Sequence, residues 1–483
     1  MVTLLQPESC MEKAAAFWRN PSAWIQQQKL SRRFWVFFAA AFFFDAGFSV
    51  YFFLFNLYLL DHRFSDRSIG LIGGAMILGT LIGTLPAGVL ARRIGVRPVL
   101  AFCFLAAPAL GILRAVWMWE PAQIGLALLA GMAMCIWGVC FLPAVARLTT
   151  EENRTSAFSL IVSASIGTSM LGGIVCGYLP QWLSMAGVAM HPAEVKRLIL
   201  LVACGIALMG LLPVLRLRIP SPSSDEPVSD IQPARGRWMR LWKSHSFLIR
   251  YLPLMALWSA VLAAFTPFAN VYLTRDLHVP LERIGLTFSA IQAVQLCMGL
   301  VTPLMFRLLG LVNGIVATQL VAAFSLALMA GARHGRLAIA LYLTFSAAQW
   351  MSSPGLYNLV MNETPDAERS TAAAMTLFCN ALVGSAATAG AGILFTRFGY
   401  PPVLLGIAGV ATTVAILFWL LIPRRHGNAP LLPQAQSQGL WEKKDRRDEA
   451  DRCRAPFRDH RECRACRRHA ARAGRAALPS HGE

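Results

Sequence analysis

The chain has 483 residues, of which 56% are hydrophobic and 14% are charged, whereas about 25% of the residues of an ordinary soluble domain are charged. This composition excludes a soluble globular protein. The formal net charge of +19 does not indicate nucleic-acid binding, because the basic residues lie in loops and tails between apolar segments, where they fit membrane topology and contact with lipids.

Apolar segments of about 20 residues recur along the chain, and segments of this length predict membrane-spanning helices. They predict an all-α membrane protein with twelve transmembrane helices. The predicted spans are Phe34–Leu60, Ile69–Leu90, Pro98–Trp117, Ala122–Leu142, Ala157–Leu179, Leu198–Leu215, Phe247–Leu273, Ile284–Phe306, Asn313–Ala332, Leu337–Val360, Thr371–Phe395 and Pro401–Ile422.

Polar segments flank the spans and divide them into two groups of six. Residues 1–33 form an amino-terminal tail, residues 216–246 form a linker that contains a Pro- and Ser-rich stretch, and residues 423–483 form a basic tail that we expect to be disordered. The first six-helix bundle is therefore predicted to cover residues 34–215 and the second to cover residues 247–422.

Lys and Arg indicate how the chain is oriented. Counted together, the two tails, the linker and every second loop contain more Lys and Arg than the remaining loops, and basic segments stay on the cytoplasmic side of a membrane. We therefore expect an integral protein of the plasma (inner) membrane, with both termini in the cytoplasm and basic segments near the inner leaflet.

The two halves carry matching short motifs at a nearly constant spacing. FNLYL at 55–59 resembles ANVYL at 269–273, and IGL at 69–71 recurs at 284–286. RRIG at 92–95 corresponds to RLLG at 307–310, and EENRTSA at 151–157 corresponds to DAERSTA at 366–372. Motifs in register at one spacing indicate an internal repeat of six spans.

The repeat, the loop GVLARRIGVR at 88–97 and the segment ENR at 152–154 resemble the major facilitator superfamily. The resemblance covers about residues 34 to 422 and implies two six-helix bundles related by a pseudo-two-fold axis along the membrane normal, with a cavity between them. Arg92 stands where the family usually has an Asp that helps to close the cytoplasmic side. The alternative is that these arginines only orient the chain. The predicted gating-loop residues are Gly88, Arg92, Arg93, Gly95, Arg97, Arg154, Arg307, Gly310 and Arg369.

Asp45 is an acidic residue about twelve residues into the first predicted span, near the middle of the bilayer. A charged group there is costly unless it faces a wet cavity or a partner. Helical steps place Ser49 and Asn56 on the same side. We interpret Asp45 as the proton-coupling residue; the alternative is a structural carboxylic acid bonded to a neighbouring helix. Arg114, in the third span, either pairs with Asp45 or extends to the outer interface, and the sequence favours the second.

The resemblance also indicates which spans line the cavity: the first, fourth, seventh and tenth. Polar and aromatic residues on these spans and on the eighth suit a moderately apolar organic solute, although each one alone is more often a packing residue. The predicted cavity residues are Ser49, Asn56, Trp137, Trp258, Thr266, Asn270, Gln292, Gln295, Gln349, Trp350, Tyr357 and Asn358.

The sequence favours a secondary active transporter that moves a small organic solute by alternating access and is coupled to protons. It contains no phosphate-binding loop, HExxH pair or nucleophile elbow, so we expect no enzyme activity, no cofactor and no metal. The expected partners are a small-molecule substrate, protons and membrane lipids, but no nucleic acid. A membrane receptor or scaffold with the same fold and no transport is the alternative.

The loop charges generate a topology prediction. In a background without native cysteines, a membrane-impermeant thiol reagent applied from outside should label a cysteine at Glu120 or Pro192 and should not label one at Ser223 or Gln434. Labelling of a cysteine at Ser223 from outside would reject the predicted orientation.

Overall fold

The computed structural model describes residues 30–185, 187, 191–217, 246–364 and 369–422 of the chain, and all regular secondary structure in this part is helical. The predicted all-α fold is therefore confirmed. The carboxyl-terminal tail, almost all of the linker and most of the amino-terminal tail lie outside the described residues.

The first half begins with a helix capped by Ser31, whose hydroxyl accepts a hydrogen bond from the backbone N–H of Phe34. Ser65 caps the second helix through the N–H of Ser68 in the same way. The helices of this half are α1 (Arg32–Asp61), α2 (Asp66–Arg93), α3 (Val96–Val116), α4 (Glu120–Leu148), α5 (Glu151–Met185), α6 (Pro192–Met209) and α7 (Leu211–Arg216).

The second half differs by a break in its first span, where a short 3₁₀ turn at Thr266–Phe268 separates two helices. Pro267 has no N–H to donate to the Ala263 carbonyl, and the hydroxyl of Thr388 donates to that carbonyl instead, at 2.9 Å. The helices are α8 (Ser246–Phe265), α9 (Ala269–Arg275), α10 (Leu281–Leu309), α11 (Leu311–Ala330), α12 (Gly335–Glu363), α13 (Arg369–Phe398) and α14 (Tyr400–Leu421).

Ten helical segments in the described part of the chain are long and apolar enough to cross a membrane. An eleventh qualifies if the two parts of α10, which is bent by 51°, count as one span. The predicted count of twelve is not confirmed, because α12 is 29 residues long but carries Gln349, Ser352, Ser353 and Asn358, which lower its hydropathy. The predicted sixth span lies within one apolar segment, Pro192–Arg216.

The two halves share one architecture, as the internal repeat predicts. In the first half α1 packs on α6 and α2 on α4; in the second half α8 packs on α14 and α10 on α12. Tyr58 donates its hydroxyl hydrogen bond to Ala115 O at 2.8 Å, and Tyr272, its counterpart in the repeat, donates to Met329 O at 2.9 Å.

Glycines let α2 and α4 approach until their backbones touch. A Cβ atom built on Gly131 would lie 2.9 Å from Thr80 N and closer still to Met76 O, and a Cβ on Gly79 would strike the Leu128 carbonyl. By contrast, a Cβ on Gly125 of the same helix α4 would have no atom within 4 Å. Close contact of this kind replaces the hydrophobic driving force that helices lack in lipid.

The contrast between these two glycines of α4 gives a matched test. We expect Gly131→Ala to destabilise the protein by about 1–3 kcal/mol, because the added methyl group forces the helices apart. Gly125→Ala should be neutral or slightly stabilising, because it removes the helix penalty of glycine and touches nothing. Thermal unfolding of the two purified variants checks this; equal unfolding temperatures would contradict the close packing of α2 on α4.

Candidate substrate cavity and the contacts that close one end

At one end of the helical body the two halves touch through α2 with α13 and α5 with α10; we call it the Asp66 end, because α2 begins there. A Cβ atom on Gly70 would lie 2.9 Å from Gly392 Cα, and one on Gly285 would lie 2.9 Å from Gly177 Cα. Gly285 is the repeat counterpart of Gly70, and Gly392 is the counterpart of Gly177. The two contacts are therefore equivalent in the repeat.

Serine hydroxyls bond to backbone carbonyls beside both glycine contacts. Ser385 donates to Gly74 O at 2.7 Å, and Ser289 donates to Met170 O at 2.6 Å. These pairs also occupy equivalent positions in the repeat, but the donor belongs to α13 in one pair and to α10 in the other. Each bond links a side chain of one half to a backbone carbonyl of the other.

Asn56 and Asn270, both predicted in the cavity, form a reciprocal link between the halves. Asn56 Nδ2 donates to Pro267 O at 2.8 Å, and Asn270 Nδ2 donates to Phe53 O at 3.4 Å. The two donors are repeat counterparts, and so are the two acceptors. The structure thus places these two side-chain amides in the contact between the halves.

An ion pair adds charge to this contact. Asp66 Oδ2 lies 3.0 Å from Arg275 Nη1, and Tyr400 donates its hydroxyl hydrogen bond to Asp66 Oδ1 at 3.2 Å. Only 3% of the Asp66 side chain is exposed, against 53% for Arg275. Since Asp66 begins α2, the positive end of the helix dipole also stabilises its carboxylate. Asp66 therefore ties the first half to two helices of the second.

The helices that join the halves, α2 with α13 and α5 with α10, separate toward the opposite end of the body. We call this the Arg92 end. Eleven residues advance a helix by about three turns and return to the same face. We therefore compared the contact residues Gly74, Gly173, Gly285 and Thr388 with the residues that lie eleven positions from them toward the Arg92 end. In the same order, these are Leu85 (79% exposed), Val162 (50%), Leu296 (51%) and Leu377 (58%). A cleft between the halves therefore opens toward the Arg92 end.

Asp45 lies near the middle of α1, about 20 Å along the helix from Arg32 at 1.5 Å per residue. It is half-buried, and the hydroxyl of Ser165 on α5 lies near its carboxylate. Ser49, one turn further along α1, donates to Ala46 O at 3.0 Å. The acidic site predicted from the sequence is thus formed by two helices of the first half.

The sequence favoured an Arg114 side chain that extends to the outer interface, with a pair to Asp45 as the alternative. The structure shows neither arrangement. Arg114 is buried, with 3% exposure, and its guanidinium lies 4.2 Å from the centre of the Phe55 ring, a cation–π contact. Its Nε donates to Gln123 Oε1 at 3.4 Å. The sequence could not reveal this site, because α1 and α4 supply the ring and the amide.

Trp137 belongs to a cluster of aromatic rings inside the first half. Its ring centre lies 5.2 to 6.0 Å from those of four phenylalanines. These are Phe37, Phe44, Phe104 and Phe141. Trp137 therefore packs within the bundle among rings from α1, α3 and α4.

A pocket with a volume of about 100 Å³ lies in the second half between α8, α12 and α13. Trp258 and Tyr357, both predicted in the cavity, line it. Sequence reasoning missed three further polar residues of its wall: Ser259, Ser353 and Asn380. The remaining walls are apolar and come from Met255, Leu262 and Leu356.

The other predicted cavity residues do not line this pocket. Thr266 is exposed in the 3₁₀ turn, Trp350 and Asn358 are exposed on α12, and the remaining three glutamines are half-buried. These glutamines are Gln292 and Gln295 on α10 and Gln349 on α12. Across the described residues, no three His, Cys, Asp or Glu side chains lie together in a way that could hold a metal ion.

The predicted gating-loop residues lie at the Arg92 end, where they help to end helices. Arg97 donates to Leu215 O, and Arg369 Nε donates to Met361 O at 2.8 Å at the end of α12. Gly95 and Gly310 adopt positive φ angles of 91° and 80°, which favour glycine. Arg92, Arg93 and Arg307 are exposed, Gly88 is half-buried, and the buried Nε of Arg154 has no hydrogen-bond acceptor.

The ion pair at the Asp66 end leads to a prediction. Asp66→Asn should shift the protein toward conformations that are open at this end, because the substitution removes the charge that holds Arg275. We expect an effect of about 1 kcal/mol, or about fivefold in the population ratio, since the exposure of Arg275 weakens the pair. Spin labels on Arg63→Cys and Arg283→Cys measure the separation of the halves.

Asp61→Asn is the matched control. Asp61 pairs with Lys196 at 2.7 Å, but both residues belong to the first half, so the same chemical change should leave the distance distribution as it is in the wild type. An identical response of the two variants would show that the Asp66 pair has no special role in closing this end.

Comparison with known proteins agrees with this architecture. The sequence pattern of the Major Facilitator Superfamily matches residues 37–389, and no curated protein matches the chain. The fold is similar to the nucleoside transporter NupG (TM-score 0.69, 16% identity, 82% of this chain and 100% of that one). It is also similar to an inward-open conformation of the xylose transporter XylE from E. coli (0.59, 14%, 81% and 96%) and to a peptide transporter POT (0.62, 14%, 81% and 94%).

The structures are too distant in sequence to carry more than the fold, but the family pattern extends over more than half of the chain. The apolar helices, the internal repeat and this match lead to one conclusion. The chain is an integral membrane protein and belongs to the Major Facilitator Superfamily of transporters.

Proposed function

We propose that this protein is a secondary active transporter that moves a small organic solute by alternating access, driven by a proton gradient through Asp45. The observation that carries the proposal is the asymmetry of the contact between the halves. They touch at the Asp66 end through the glycine contacts, and their contact faces separate toward the Arg92 end. Rocking the halves about the region between would exchange the open and closed ends.

The basic residues support an orientation for this cycle. Arg92, Arg93 and Arg97 join the arginines at the start of α1 at one end of the body, and basic loops favour the cytoplasmic side. We infer that the Arg92 end is cytoplasmic, that both termini lie there, and that the protein resides in the plasma (inner) membrane. The described conformation is then the inward-open one.

Asp45 suits a proton carrier because of its depth and its surroundings. An ionised carboxylate deep in a membrane protein is costly without a cation, and acidic residues at such depth commonly form proton pathways. The polar group near the Asp45 carboxylate is the neutral hydroxyl of Ser165, and none of the ion pairs among the described residues involves Asp45. A proton can therefore neutralise Asp45 without breaking an ion pair with Arg114, which instead contacts Phe55 and Gln123.

The names of the structural neighbours suggest which solutes to test first. They transport nucleosides, xylose and peptides. The chain itself presents aromatic and uncharged polar side chains at its pocket, which suits solutes that combine apolar and uncharged polar groups. Transport of one of these classes would support the proposed function.

Asp45→Asn tests the coupling. The amide keeps the shape and hydrogen-bonding capacity of the carboxyl group but cannot carry a proton, so we expect solute exchange to survive and accumulation driven by a pH gradient to be lost. Radiolabelled nucleosides, pentoses and dipeptides in proteoliposomes with an imposed pH gradient provide the measurement.

Asp61→Asn serves as the control, because this carboxylate is paired with Lys196 at the end of α1 and should not be needed for accumulation. A well-folded Asp45→Asn protein that still concentrates solute, with the pH dependence of the wild type, would exclude Asp45 as the proton carrier. A wild-type protein that moves no solute of any class would favour a receptor or scaffold.

A further inference from the structure

The pocket of the second half and the acidic site of the first half occupy equivalent places in the repeat. Ser259 is the counterpart of Asp45, and Asn380 is the counterpart of Ser165, at the same spacings that relate the motifs. In the first half the hydroxyl of Ser165 lies near the Asp45 carboxylate; in the second half Ser259 donates to Asn380 O at 3.1 Å. The contact of α1 with α5 in the first half thus carries a carboxylate, whereas the equivalent contact of α8 with α13 in the second half carries uncharged groups.

The two halves fill this region differently. In the first half, aromatic rings occupy it: Phe44 lies 4.8 Å from Phe48 and 5.4 Å from Trp137, which lies 5.2 Å from Phe141. The counterparts of Phe44 and Phe48 in the second half are Trp258 and Leu262, and those of Trp137 and Phe141 are Ser352 and Leu356. Of these four counterparts, only Trp258 is aromatic. The pocket therefore lies where Leu262 and Leu356 of its wall stand in place of two of the rings of the first half.

Two polar atoms of residues that line this pocket lack hydrogen-bond partners. Trp258 is 2% exposed, and its indole Nε1–H has no acceptor; the buried Oδ1 of Asn380 has no donor. Leaving such a group unpaired costs about 1–3 kcal/mol, so buried polar atoms nearly always have partners. A free donor and a free acceptor beside one pocket indicate a ligand that supplies the complementary pair.

We propose, building on the transport function proposed above, that this pocket binds an uncharged solute that carries a hydrogen-bond acceptor for Trp258 and a donor for Asn380 on a flat, partly apolar body. Trp258 and Tyr357 supply aromatic side chains to the pocket wall, and aromatic side chains suit a flat body. None of the described residues that line the pocket is Asp, Glu, Lys, Arg or His, so an ionised solute would be desolvated there without a counter-charge. The proton and the solute are then held by equivalent sites in opposite halves.

Binding to the purified full-length protein tests this inference with pairs of probes that differ in charge: nicotinamide with nicotinate, and uridine with uridine monophosphate. The variants are Trp258→Phe and Asn380→Ser, which introduce the residue types that the first half carries at the equivalent positions. We expect the uncharged members to bind and each variant to weaken that binding at least tenfold. Trp117→Phe, at an exposed tryptophan, should change nothing.

Refilling the pocket gives a second test. The double variant Leu262→Phe, Leu356→Phe introduces the rings that the first half has at these positions, and we expect it to abolish binding while the protein remains monodisperse. Preference for the ionised probes, binding that none of these variants alters, or no binding of either uncharged probe, as expected if the pocket holds only water, would each overturn the inference.

Asp45→Asn separates this inference from the proposed function. It should retain the Trp258-dependent binding of the uncharged probe, because the solute site lies in the other half. If wild-type protein binds the probe in this way but never accumulates solute, the transport proposal fails and the binding site stands. If it accumulates solute with no dependence on Trp258 or Asn380, the binding site fails and the transport proposal stands.

Discussion

Backbone-to-backbone contact between glycine-bearing helices is the constraint on which the closed end of this protein depends. Lipid gives no hydrophobic reward for helix association, so the halves must be held by close packing and by hydrogen bonds to carbonyls. Gly70 with Gly392 and Gly177 with Gly285 allow that approach, and the approach brings the serine and asparagine donors within reach of the opposite carbonyls. A larger residue at either crossing would remove both kinds of contact together.

The internal repeat supplies these contacts twice from one pattern, whereas the proposed function resides where the repeat is broken. Symmetric positions hold the frame: the Tyr58 and Tyr272 hydrogen bonds are almost identical in length. At the equivalent depth, Asp45 and Ser259 differ in the charge that they can carry. A duplicated scaffold can keep its packing while each half acquires a separate chemical role.

The sequence was sufficient for the helices and the repeat, because the thickness of a bilayer fixes the length of apolar segments and the motif spacing is visible directly. It could not place Asn56 and Asn270, since either helix face was open to them until the contact between halves was known. Arg114 was misplaced for a similar reason: its depth was counted along α3, while its partners lie on α1 and α4. The count of twelve spans is not confirmed, because polar residues of α12, among them Ser353 in the pocket wall, lower the hydropathy of that helix.

Ser353 and Asn380 escaped detection because single small polar residues are common on apolar helices and carry no signal of their own. A signal for Asn380 was nevertheless present in the chain. Moving Asp45 and Ser165 by the repeat spacing leads to Ser259 and Asn380, so a suspected site in one half indicates where to look in the other.

Burial of Asp66 has a consequence for the balance between conformations. Closing the Asp66 end removes a carboxylate from water, and the cost of that dehydration offsets much of the attraction to Arg275. Opening the end returns the carboxylate to water and recovers its hydration energy. In the proposed alternating-access cycle, the ion pair would therefore give register to closure without making closure irreversible.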